Sequence, residues 1–264
     1  MKQIPKQRFI IFLFLLVTFC YTEQQPSAQE SKSSNLDRIF LQATGKINYL
    51  TGRYEASSVH TELKDISGTK NHYLLPEVAK QWATMVAAYE REKSKDSKQS
   101  IFLVSSFRSF NQQKSIWEAK YSGQRKMRET VKGKTPEEIV DLILEFSSAP
   151  GTSRHHWGTD LDLNALENSY FEKGGKGYEI YSWLSVNAKR FGFCQPYNAK
   201  SLRNNKGYEE EKWHWSYKPI SSSLRQIWIS EFQSKSLQLS GYNGVEIMNS
   251  KALDYVSEIS NECK

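Results

Sequence analysis

The chain has no apolar run long enough to cross a bilayer, few cysteines and no internal repeat. Its longest apolar stretch, Phe9 to Phe19, falls well short of the ~20 residues that a spanning helix needs, which excludes a polytopic membrane protein. Three Cys in 264 residues exclude a disulfide-stapled miniprotein and any four-Cys zinc site. Aromatic residues are not scarce: they make up 13%, with seven Trp, which argues against a disordered chain. At 38% hydrophobic and a mean hydropathy of −0.64, the length fits one large domain or two small ones with a real core.

Basic residues outnumber acidic ones 36 to 29, a net charge of +7. They are scattered, with small clusters at Arg125–Arg128 and Lys132–Lys134. No nucleic-acid motif accompanies them, so the expectation is a solvated basic face and no nucleic-acid partner. Part of the excess lies at the N-terminus, where Lys2, Lys6 and Arg8 precede the apolar run and the polar stretch Thr22–Ser34 follows it. That order reads as an export signal over residues 1–29. Two processing routes stay open: cleavage near Ser27–Gln29, or lipidation of Cys20 as the only membrane contact. Either places the mature chain outside the cytoplasm, secreted or in the cell envelope. There Cys194 and Cys263 would meet an oxidising milieu; whether they pair is left open.

Residues 20–37 read as a flexible linker. Residues 74–94 place Leu75, Val78, Trp82, Met85, Val86 and Tyr89 at helical spacing, with Pro76 in the first turn. Ile101–Val104 reads as a buried strand, and Ser109–Tyr121 as a helix. Thr135, Pro136 and Glu138 form a capping box that opens a helix to about Phe146. Thr159–Asn164 alternates like a strand, Tyr178–Phe191 is an amphipathic helix ending at Gly192, and Lys212–Tyr217 alternates again. Residues 220–235 look helical, and the tail beyond 240 is weakly patterned. The expected fold is α+β, a single domain in which a small antiparallel sheet carries the functional site and helices flank it.

Chemistry concentrates in two segments that hold three of the five His. Ser153–Asp162 contains His155, His156, Asp160 and Asp162, and Glu211–Trp215 contains His214. A hydrolytic zinc site takes about three ligands from His and Asp/Glu, plus a carboxylate that accepts a proton from water. Together the two segments supply that set. His155 and Asp162, seven residues apart, cannot share one short helix face, but a loop followed by a strand brings them together. His214 then comes from a neighbouring strand, and Glu211 enters from that strand's edge. Taken singly, each of these residues has a plainer reading: a packed histidine, a cap or a solvated acidic run.

Ser153-x-His155-x-x-Gly158-x-x-x-Asp162 followed by Glu211-x-Trp213-His214 resembles the signature of VanY-type zinc D-alanyl-D-alanine carboxypeptidases. That family is related to D-Ala-D-Ala dipeptidases and to hedgehog zinc domains. Ser106 to Gln113 is similar to the family's Tyr-Arg-Ser-Tyr segment with Gln five residues after the Arg. The matches are in family order and span about residues 70–220. The resemblance implies that His155, Asp162 and His214 bind Zn2+ and that Glu211 is the general base. It implies that Arg108 steadies the tetrahedral oxyanion, and that Gln113 and Ser153 contact the substrate's terminal residue. Three positions depart from the pattern: Asp160 stands where Ala is usual, Phe107 replaces Tyr, and His156 adjoins the first ligand. His155 is taken over His156 because it alone is seven residues before Asp162. Asp160 would face the same side as Asp162, to tune the metal or to meet a substrate amine.

The expected function is therefore a secreted zinc peptidase that removes terminal D-Ala from peptidoglycan stem peptides, acting as a monomer. Alternatives of the same fold are an LD-carboxypeptidase or an L-Ala–D-Glu endopeptidase. From another class comes a non-catalytic, zinc-containing cell-wall binding module. Retention of both Glu211 and Arg108 favours catalysis, since binding alone requires neither. The expected organisation is a signal over 1–29, a linker and extension over 30–69, a peptidase core over 70–220 and a helical extension over 221–264.

Overall fold

A computed structural model describes residues 28–64 and 70–264, with nothing said of the side chains of 28–34. The apolar run and Cys20 lie outside the described residues. Helices α1 (Ala28–Gln42) and α2 (Lys46–Thr51) come first, then a hairpin of β1 (Thr61–Lys64) and β2 (Asn71–Leu74). Helix α3 (Pro76–Glu92), strand β3 (Leu103–Ser105) and helices α4 (Phe110–Tyr121) and α5 (Pro136–Leu144) follow. A 3-10 turn at Arg154–Trp157 then leads into β4 (Asp160–Leu163). After α6 (Asn168–Phe171) and α7 (Tyr178–Asn187) come β5 (Phe193–Cys194), β6 (His214–Tyr217), α8 (Lys218–Gln233) and α9 (Val245–Ser257).

The fold is α+β, with a four-stranded antiparallel sheet in the order β3-β4-β6-β5. Strands β4 and β6 are buried on both faces. Leu161, Leu163 and Trp215 enter the hydrophobic core, while Asp160, Asp162, His214 and Ser216 are polar and buried. The register sets Asp162 opposite His214 and Asp160 opposite Ser216, with Ser105 opposite Asp162 on the other side. A polar row thus crosses the sheet, and burial on that scale requires that its members satisfy one another.

Local signals explain the helix starts. Ser109 accepts from the Gln112 amide, and Gln112 returns a bond to the Ser109 N–H. Thr135 and Glu138 make the same reciprocal pair, so orphan first-turn donors are met in both helices. Trp117, Trp157 and Trp228 fill the core without exposed surface, and each indole N–H finds a carbonyl, those of Asn243, Leu50 and Gly151.

Three expectations change. Residues 28–37 lie in a helix, not a linker, because Ile39, Phe40 and Ala43 anchor that helix and its continuation in the core. The tail beyond 240 forms α9, which buries Met248, Ala252 and Val256 at four-residue spacing. Strand β3 begins at Leu103, two residues later than expected. Cys194 and Cys263 form a disulfide with a Cα–Cα distance of 5.6 Å, closing the tail onto β5. Among the described residues no helix is long and apolar enough to cross a membrane.

Candidate active site

The 3-10 turn at Arg154–Trp157 exists because Gly158 ends it at φ 63°. A Cβ at Gly158 would collide with the His60 ring, so glycine is required for both its conformation and the close approach. The turn delivers His155 beside β4, and the β4–β6 register brings Asp162 and His214 across from each other. One ligand atom from each of His155, Asp162 and His214 lies within 4.8 Å of the others. All three side chains are buried.

Hydrogen bonds decide which ring atoms face the centre. His155 Nδ1 is 2.7 Å from the Ser106 carbonyl. A carbonyl only accepts, so Nδ1 carries the proton and the Nε2 lone pair is left. That Nε2 makes no hydrogen bond and lies 3.3 Å from Asp162 Oδ2. His214 is turned the other way. Its Nε2 is 2.9 Å from Asp160 Oδ1, and its Nδ1 faces Asp162 Oδ1 at 3.3 Å and Glu211 Oε2 at 3.2 Å. Asp162 Oδ1, like His155 Nε2, is buried without a hydrogen bond. Buried polar atoms left unbonded are costly, and two of them aimed at one point, in a two-histidine, one-carboxylate set, fit a zinc ion.

Glu211 is held by its backbone: its N–H donates to the Tyr197 carbonyl and its carbonyl accepts from Gln195 and from His214. Burial raises its carboxyl above the ordinary range, against the pull of His214. The neighbouring glutamates point elsewhere, Glu209 to Lys200 at 2.7 Å and Glu210 to Lys212 at 3.6 Å. For Asp162, burial would raise the carboxyl, but His155, His214 and Arg108 hold it well below the usual range.

Arg108 reaches over the cluster, with Nη2 at 3.7 Å from Asp162 Oδ2. Its backbone is strapped to the ligand turn. The Arg108 N–H donates to the His155 carbonyl, and the Arg108 carbonyl lies 2.6 Å from His156 Nδ1. The Gly151 N–H donates to His156 Nε2 at 3.0 Å, so His156 is a neutral Nδ1–H tautomer with no lone pair for a metal. Burial takes its pKa down to about 3. His156 is thus a strap for Arg108. Phe107, in place of tyrosine, packs at a tilt against Tyr54 and His60.

Gln113 and Ser153 are buried outside this cluster. Gln113 donates its amide to the Ser148 carbonyl at 2.7 Å, while its Oε1 and Ser153 Oγ make no hydrogen bond. Asp160 is the principal surprise. It is fully buried, so it meets no substrate amine; instead it bonds Arg154, Thr159, Ser216 and His214. Arg154 carries no sequence signal for this role, because the burial of its partner Asp160 is a product of the fold. The site opens to a cleft of about 1170 Å³, whose lining includes Asp162 and the cations Arg53, Lys70, Arg108 and Arg125.

A family model described as VanY: D-alanyl-D-alanine carboxypeptidase matches residues 71–220. An uncharacterized protein of Haemophilus influenzae is 33% identical over 90 residues, covering 30% of this chain and 67% of that protein. A D-alanyl-D-alanine carboxypeptidase of Enterococcus faecalis is 28% identical over 125 residues, covering 47% of this chain and 42% of that enzyme. The chain thus spans less than half the length of that enzyme. The solved structure of VanYB in complex with D-alanine-D-alanine is similar at a TM-score of 0.46 and 21% identity, covering 72% of this chain and 89% of that one.

Proposed function

The chain belongs to the VanY D-alanyl-D-alanine carboxypeptidase family, and from that premise we propose that it is a zinc peptidase releasing terminal D-alanine from peptidoglycan stem peptides outside the cytoplasm. The observation that carries this reading is the convergence of His155, Asp162 and His214, with two unbonded donor atoms, beside Glu211 and Arg108. A zinc ion held there supplies Lewis acidity and brings the pKa of a nearby water to about 7.

The chain's own residues do the rest. Glu211, its carboxyl raised by burial, accepts the proton of the attacking water near neutrality and returns it to the departing amine of D-alanine. The backbone of Arg108 is hydrogen-bonded to the ligand turn and its guanidinium lies beside Asp162, from where it stabilises the negative charge that develops on the carbonyl oxygen. Gln113 Oε1 and Ser153 Oγ, buried and unbonded, are the groups assigned to the terminal residue. The cleft extends well beyond a dipeptide and holds four cations against Glu55 and Asp162, which suits a peptide that carries carboxylates.

This reading keeps the leader over 1–29, the extension over 30–69, the core over 70–220 and the extension over 221–264. In it the extension contributes Arg53 and its neighbours to the cleft wall, and the disulfide belongs to an exported chain. The test is mass spectrometry of defined stem peptides incubated with the zinc-loaded protein. Loss of one alanine from the pentapeptide ending in D-Ala-D-Ala is expected. Release only from the tetrapeptide would move the activity to LD-carboxypeptidase. No cleavage of any stem by the zinc-loaded protein would leave a binding module.

A further inference from the structure

Asp160 lies on β4 two residues before Asp162, so both carboxylates point to one face of the strand. Across the sheet, His214 sits opposite Asp162 and Ser216 opposite Asp160. The His214 ring therefore spans the two acids, with Nε2 at 2.9 Å from Asp160 Oδ1 and Nδ1 at 3.3 Å from Asp162 Oδ1. Asp160 has no surface of its own and every bond it makes is internal. Its Oδ1 accepts from Arg154 Nε at 2.9 Å as well as from His214, and its Oδ2 accepts from Thr159 Oγ1 at 2.6 Å and Ser216 Oγ at 3.1 Å.

Arg154 does not grip the carboxylate with both arms of its fork. It gives Nε to Asp160 and Nη2 to Ser216 Oγ at 2.6 Å, which leaves room on Asp160 Oδ1 for the imidazole. A pair serving only to satisfy a buried arginine would favour the bidentate geometry. Here one oxygen is shared between the guanidinium and His214.

We propose that Asp160 is a positioning residue for the metal centre: through His214 it fixes the Nε2–H tautomer and the ring angle, so that Nδ1 is presented to the zinc. This inference rests on the zinc reading above. A carboxylate behind a ligating histidine orients the ring and strengthens its donor nitrogen, and losing such a partner lowers metal affinity by about 10- to 100-fold. Arg154 offsets the charge of Asp160, and together with Ser216 it holds the carboxylate in place.

The experiment compares the full chain with Asp160→Asn, which keeps the size, and with Ser216→Ala, which removes one bond to Asp160 but leaves its contact with His214. Zinc affinity is measured by competition with a coloured chelator, alongside thermal midpoints, kcat and KM. Asp160→Asn is expected to bind zinc about 10- to 100-fold more weakly. At saturating zinc its kcat should fall with KM unchanged. Ser216→Ala is expected to lower the thermal midpoint with zinc affinity within about threefold of wild type, which a purely structural network would not separate. If Asp160→Asn fails to fold, the pair Arg154→Met with Asp160→Asn, which removes both buried charges, carries the same measurement. Zinc bound by the Asn variant as tightly as by wild type would overturn the inference. Absence of zinc binding by the wild-type chain would instead overturn the reading beneath it.

Discussion

Glu211→Gln separates a proton acceptor from a mere acidic neighbour. The side chain is almost fully buried, with its backbone pinned to Tyr197, Gln195 and His214, so an amide of the same shape will keep its place. The amide cannot take a proton from water, and loss of a positioned base lowers turnover by about 10²- to 10⁴-fold, or roughly 3 to 5.5 kcal/mol of barrier. Zinc content should hold, because Glu211 is not among the three grouped ligands. Glu209 and Glu210 form partly exposed ion pairs with Lys200 and Lys212, each worth at most ~1 kcal/mol of stability. Gln at either position should leave D-alanine release near wild type. The assay is release from a pentapeptide stem by each single variant at matched zinc content. Near wild-type release by a zinc-replete Glu211→Gln protein, or equal losses in all three variants, would refute the assignment.

Other outcomes are fixed by the same geometry. His156→Ala should keep its zinc, since both ring nitrogens are committed to Arg108 and Gly151, yet kcat should fall about 10- to 100-fold as Arg108 loses its strap; loss of zinc on metal analysis would make His156 a ligand. Because burial raises the Glu211 carboxyl above its ordinary 4.5 and only the carboxylate can act as base, kcat/KM should be lost as pH falls through a value above 4.5, and a pH profile with its acid limb below that would contradict this. Reducing Cys194–Cys263, which are 69 residues apart, should remove about 4 kcal/mol of stability; calorimetry should show the midpoint falling by roughly 8–16 °C, and an unchanged midpoint would mean the tail is held without the bond.

Legibility in the sequence followed the range of the forces involved. Helices α3 and α5 were readable because their apolar spacing and their Pro76 and Thr135–Glu138 starts are local. The pairing of Asp162 with His214 was readable because alternation in two short strands fixes which side chains share a face, whereas His155, on the turn before β4, was joined to them by the resemblance to the family signature. The hairpin β1–β2 escaped because β1 is mostly exposed and carries little apolar pattern. Helix α9 escaped because Ile247, Leu253 and Tyr255, off its buried row, blur the periodicity. Disulfide pairing and the shared oxygen of Asp160 depend on segments brought together by the whole fold, as with Arg154 from the turn before β4 and His214 from β6. No local pattern encodes them.

The central claim, a zinc-dependent carboxypeptidase centred on His155, Asp162 and His214, is tested most directly by D-alanine release before and after metal removal. The wild-type chain is stripped with a chelator, dialysed, and titrated with zinc while release from a D-Ala-D-Ala pentapeptide is followed. The account predicts no release from the stripped protein and full recovery at about one zinc per chain, with no recovery in His214→Ala. Undiminished release by protein stripped of its metal would contradict it.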